Sequence, residues 1–169
     1  MYQVGQFIIY AQEGVCRVEA IGSVDIKGAR QDMLYYTLRS LWHQGKVYAP
    51  VESEAFSRPV ITEAEASALL ADIPNAPVQV FENHNPRVLG EIYQKYLKSN
   101  DCRKLLELII SIKAKGARLA ARGRRLGMVD ERCIKQAEEK LCGEFSVAMS
   151  IPAEEVKALL NAALAQTQK

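Results

Sequence analysis

The chain changes character near residue 80, and that change restricts it to two modules built from different secondary structure. Before this point, short runs of β-branched and aromatic residues are punctuated by glycine: Phe7-Ile8-Ile9-Tyr10, then the segments 15–21, 33–38, 46–51 and 59–61. Beyond it, apolar residues recur at helical spacing, as in Leu89, Ile92, Tyr93, Tyr96 and Leu97, and again in Ile134, Ala137, Leu141, Phe145 and Ala148. The charge divides in the same place. Residues 1–78 hold six Lys/Arg against nine Asp/Glu, whereas residues 79–169 hold sixteen against eleven. The two halves are therefore expected to bind unlike surfaces.

At 169 residues the chain can bury enough apolar surface to fold without metal or disulfide staples. No apolar run approaches the roughly 20 residues of a membrane-spanning helix. Met1-Tyr2-Gln3-Val4-Gly5 has neither the basic start nor the apolar stretch of a signal peptide, so the expected location is the cytoplasm, with no membrane partner. Cys16, Cys102, Cys133 and Cys142 have no paired spacing, and His43 and His84 are the only histidines, which predicts reduced, structural thiols and no metal site. There is no phosphate-cradling glycine loop and no placed Ser/His/Asp or Cys/His set. The reading is of a non-enzymatic, monomeric protein without catalytic residues or cofactors.

The fold class expected is α+β, with an N-terminal SH3-like or Tudor-like β-barrel and a C-terminal all-α bundle. Gly14, the Lys27-Gly28 pair and Gln44-Gly45 can close the hairpins of five short antiparallel strands. Pro50 cannot donate a ladder hydrogen bond, so its strand belongs at an edge, either blunted against aggregation or open to a partner. Trp42, just before the Gln44-Gly45 turn, is expected to pack over the barrel end. Thr62-Glu63-Ala64-Glu65 has the form of a capping box opening a short helix, which would complete a first domain at residues 1–72. Residues 73–84, with Pro74 and Pro77, read as a linker, and residues 85–169 as the helical domain.

In the helical half, Asn85-Pro86 supplies a cap and a first-turn proline, Ser99-Asn100-Asp101 separates the first helix from the second, and Pro152 with Glu154 and Glu155 opens the last. Between Glu107 and Asp130 no acidic residue occurs, while Lys113, Lys115, Arg118, Arg122, Arg124 and Arg125 supply six cations. Positions 115, 118, 122 and 125 share a face if the helix runs through Gly116 and Gly123, and form a loop cluster if it breaks. Either arrangement suits phosphate contacts that carry no base sequence. With Arg87 and Arg132, these residues form the candidate DNA-binding set, the alternative being that the run is simply a solvated helix face.

Val4-Gly5-Gln6-Phe7-Ile8-Ile9-Tyr10, Gly14-Val15, Ile26-Lys27-Gly28, Tyr35-Tyr36-Thr37-Leu38 and Val47-Tyr48-Ala49-Pro50-Val51 resemble the RNA-polymerase-interacting domain of CarD/CdnL-type bacterial transcription regulators, which is shared with transcription-repair coupling factors. Tyr96-Leu97-Lys98-Ser99-Asn100-Asp101, together with Asp130, Ala137, Leu141 and Glu144, extends the resemblance into the second half. The resemblance implies docking on the polymerase β subunit by strand pairing through Lys46, Val47, Tyr48, Ala49 and Pro50. It also implies that the helical domain holds double-stranded promoter DNA and biases it towards the open complex. Two positions depart from the family pattern. The stretch His84-Asn85-Pro86-Arg87 has no tryptophan where the family places a minor-groove wedge, and Tyr48 stands where the family has an arginine. The missing tryptophan favours an alternative reading, a polymerase-binding or other protein-interaction adaptor that does not touch DNA.

Overall fold

A computed structural model describes residues 1–167. Its chain divides into two compact units, Met1–Val60 and the remainder from Ile61 onward.

In the first unit the strands are β1 (Phe7–Tyr10), β2 (Gly14–Gly22), β3 (Tyr35–Ser40), β4 (Lys46–Pro50) and β5 (Ser57–Pro59). All pair antiparallel in one sheet of order β4-β3-β2-β1-β5. Ile8, Cys16, Val18, Tyr36, Leu38 and Ala49 form its buried core. Gly14 turns the first hairpin at φ +73°, and the Trp42 indole lies 3.5 Å from where a Cβ on Gly14 would stand, so the ring, though 43% exposed, rests on bare backbone of the hairpin and not over a closed barrel end. Two strands sit slightly off their predicted positions: the third begins at Tyr35 instead of Met33, and the fifth is displaced to Ser57–Pro59.

The expected barrel does not close. β4 pairs with β3 alone and β5 with β1 alone, leaving an open sheet. The register explains why β4 resists closure. The Val51 N–H donates to the Leu34 carbonyl (2.9 Å), and in an antiparallel ladder bonded pairs alternate with open ones. Counting back along the register, Ala49 and Val47 bond to β3, while Pro50, Tyr48 and Lys46 turn their backbone groups outward. Proline thus occupies a place where a closing strand would need an N–H.

The second unit holds α1 (Glu63–Asp72), a 3-10 turn at Ile73–Asn75, α2 (Pro86–Leu97), α3 (Cys102–Ala120), α4 (Met128–Met149) and α5 (Ala153–Thr167). The Thr62 capping box is fully formed: its hydroxyl accepts from the Glu65 N–H (3.1 Å) and the Glu65 carboxylate accepts from the Thr62 N–H (2.8 Å). Asn85 and Asp101 cap α2 and α3 through their side chains. Leu108, Ile109, Ile112, Leu141, Phe145 and Leu160 are completely buried in the helical core. Ala66 and Ile73 are buried in the same core, and Phe81 packs against Tyr93 and Tyr96. Helix α1 and the segment read as a linker therefore pack with the helices, and the division falls after Val60. Among the described residues no helix is long and apolar enough to cross a membrane.

Candidate partner surfaces

On the outward side of β4 the Pro50 carbonyl is already taken by the Ser53 N–H (3.0 Å). The open ladder groups are therefore those of Lys46 and Tyr48. The five residues expected to meet a partner lie together on this strand, with Ala49 buried, Val47 half-buried, and Lys46 and Tyr48 exposed. Across the same face runs a row of charge. Arg39 stands opposite both Arg17 on β2 and Lys46 on β4. Glu19 accepts from Arg39 Nε (2.5 Å) and lies 3.6 Å from Lys46 Nζ. The hydrogen bond from Arg39, joined by the charges of Arg39 and Lys46, holds the Glu19 carboxyl below its usual range. Three cations facing one carboxylate leave this face positive beside the open edge, although the first module as a whole is acidic.

In the second unit the basic window does not form one continuous face. Helix α3 runs through Gly116, where a Cβ would meet Leu126 at 3.3 Å, and ends at Ala120. The chain then turns through Gly123 at φ +70° into the loop before α4. Three of the six cations are engaged by acids. Lys113 Nζ lies 3.6 Å from Glu138, and Arg118 Nη1 lies 3.5 Å from Glu82. Lys115 points inward to Asp130 at 3.0 Å and its side chain is 13% exposed. Arg122, Arg124 and Arg125 are exposed on the loop, and no ion pair among the described residues involves them. Arg87 pairs with Glu91 one turn along α2 (3.6 Å), and Arg132 is exposed near the start of α4.

Two buried polar nodes fix these helices. Asp130, at the start of α4, accepts from the Tyr93 hydroxyl of α2 (2.5 Å) as well as from Lys115 of α3, which pins the ends of the arginine loop to a third helix. Burial, then the hydrogen bond to Asp130, pushes the Tyr93 hydroxyl far above its ordinary range, and burial lifts the Cys133 thiol to about 12. Glu144 on α4 accepts from the Ile61 N–H (3.1 Å) and from Cys102 Sγ (3.0 Å), joining α4 to the entry of α1 and the start of α3. A third polar contact closes α2, where Lys140 Nζ donates to the Leu97 carbonyl (3.1 Å). Sequence reading missed these nodes. The available signal was Asp130 itself, the acid that ends the basic window, with an acidic side chain in the first turn of a helix.

All four cysteines are buried, and none forms a disulfide. Among the described residues no group of three or more His, Cys, Asp and Glu is placed to hold a metal.

Residues 2–60 match the CarD-like/TRCF RID domain family. The matched stretch is the sheet unit almost to the residue. That family is non-catalytic and interacts with RNA polymerase. No curated protein matches the chain.

Proposed function

We propose that the protein is a transcription regulator that pairs β4 with a strand of the RNA polymerase β subunit and lays the arginine loop of the helical unit along promoter DNA. The observation that carries this reading is the open edge of β4 inside the segment that matches a polymerase-interacting family. Lys46 and Tyr48 offer their backbone groups to a partner strand, and the positive row behind them favours an acidic one. Arg122, Arg124 and Arg125 supply contacts that recognise phosphate without base sequence. Attachment to polymerase gives so small a patch a high local concentration of DNA, which makes weak intrinsic affinity sufficient. Stabilisation of the open complex follows to the extent that the loop binds that state better than the closed one.

Replacing Tyr48 by Pro in the 169-residue chain removes an outward N–H and no internal ladder bond. This variant is expected to lose capture of the polymerase β subunit and to keep its salt-dependent binding to duplex DNA. Retained capture contradicts strand pairing. A second reading, an adaptor that does not bind DNA, draws support from the pairing of Lys113, Lys115 and Arg118 with carboxylates. Titration of fluorescent duplex at two salt concentrations separates the two, since an adaptor shows no binding even at low ionic strength.

A further inference from the structure

The inner face of the sheet unit contains a cavity of about 390 Å³ between the end of β4, β1 and the first two residues of the chain. Tyr2, Tyr10 and Tyr36 line it together with Pro50 and Val51. Tyr2 and Tyr36 are locked in place. Their ring centroids are 5.6 Å apart at 51°, the Tyr36 hydroxyl accepts from the Tyr2 N–H (3.0 Å), and the Tyr2 hydroxyl donates to Ser57 Oγ (2.9 Å). Tyr10 is half-buried, and no hydrogen bond from its hydroxyl occurs among the described residues. The wall segment after β4 alternates Ser53 and Ala55, which line the cavity, with Glu52 and Glu54, which are exposed and in no ion pair among the described residues.

We infer that this cavity receives a lysine or arginine side chain of the polypeptide that pairs with β4. Three tyrosine rings attract a cation through their π faces, and two carboxylates on the rim segment add the matching charge. Among the described residues no Lys or Arg side chain lines the cavity to compete for that place. The polypeptide source follows from continuity: Pro50 ends β4 and, with the adjoining Val51, lines the cavity, so a strand laid on Lys46 and Tyr48 carries its next side chains past the mouth. The inference rests on the strand-pairing reading for its occupant, while the chemistry of the cavity stands independently of it.

The test titrates the full chain with n-butylammonium chloride and, separately, with neutral 1-pentanol, following tyrosine ring resonances by NMR. The ammonium is expected to shift Tyr2, Tyr10 and Tyr36 saturably and to bind at least fivefold more tightly than the alcohol. Glu52→Gln with Glu54→Gln should weaken it at least threefold, and Tyr10→Leu should abolish it. Equal binding of the neutral compound, or undiminished butylammonium affinity in the double glutamine variant, would overturn the inference even if Tyr10→Leu fails to fold. The double glutamine variant should also lose at least threefold in affinity for polymerase β; full affinity places the cation's source elsewhere and overturns the assigned occupant. Failure of the unaltered protein to bind polymerase β is a separate result that strikes the strand-pairing reading, and the butylammonium titration still decides the cavity.

Discussion

The sheet unit and the helical unit solve opposite problems with their polar groups. In the first, the outward amides of Lys46 and Tyr48 are left open at a rim, and the buried core is almost purely apolar. The second turns polar groups inward: Asp130 draws together Tyr93 and Lys115, and Glu144 draws together Ile61 and Cys102. A strand edge can be used by a partner because its hydrogen bonds are unmade. An exposed arginine loop is useful only when its ends are held, and a buried, fully paired carboxylate does that. The difference teaches where each unit is adaptable, the sheet at its backbone and the helices at their side chains.

The most severe way to break this comparison is to empty the helical core. Phe145→Ala should cost about 3–5 kcal/mol through lost burial and a cavity. Thiol labelling during denaturation reads the outcome by unit, because Cys16 reports the sheet while Cys102, Cys133 and Cys142 report the helices. Burial raises the Cys16 and Cys142 thiols to about 11, so in the native protein little reactive thiolate is present near neutral pH. The variant should expose its three helical thiols earlier while Cys16 stays protected; simultaneous labelling of all four means the units do not unfold separately. Next in size, reversing Arg122, Arg124 and Arg125 to Glu should lower duplex affinity more than tenfold and flatten the log–log salt slope by about 2.7, with polymerase capture unchanged. Tyr93→Phe should cost about 1–2 kcal/mol by removing one donor from buried Asp130, seen as a lower urea midpoint. The smallest effect expected is that of Lys113→Gln, about 0.5 kcal/mol or less in the same unfolding measurement, since its pair with Glu138 is partly exposed.

Local features were legible in the sequence because they rest on neighbours along the chain. The Thr62 capping box, the Asn85-Pro86 start and the Asp101 cap stand where their residue types place them. What was hidden depends on partners far away in sequence. Spacing put Lys115 on a face with Arg118, Arg122 and Arg125, but helical period cannot tell that α3 ends at Ala120, nor that an acid fifteen residues on draws Lys115 inside. Alternation likewise reveals strands without revealing closure, which here turned on the outward register of Pro50. The short helix after residue 62 was assigned to the sheet by adjacency, whereas burial of Ala66 and Ile73 assigns it to the helices.

Pro50 also limits what can be added to the sheet. With donors at Lys46 and Tyr48 and none beyond, the usable rim spans about 7 Å between two residues of a strand. So short a template holds one brief visiting segment, and at the β4 edge it offers no long register for copies to extend. Stickiness towards a guest is thereby kept apart from stickiness towards copies of itself.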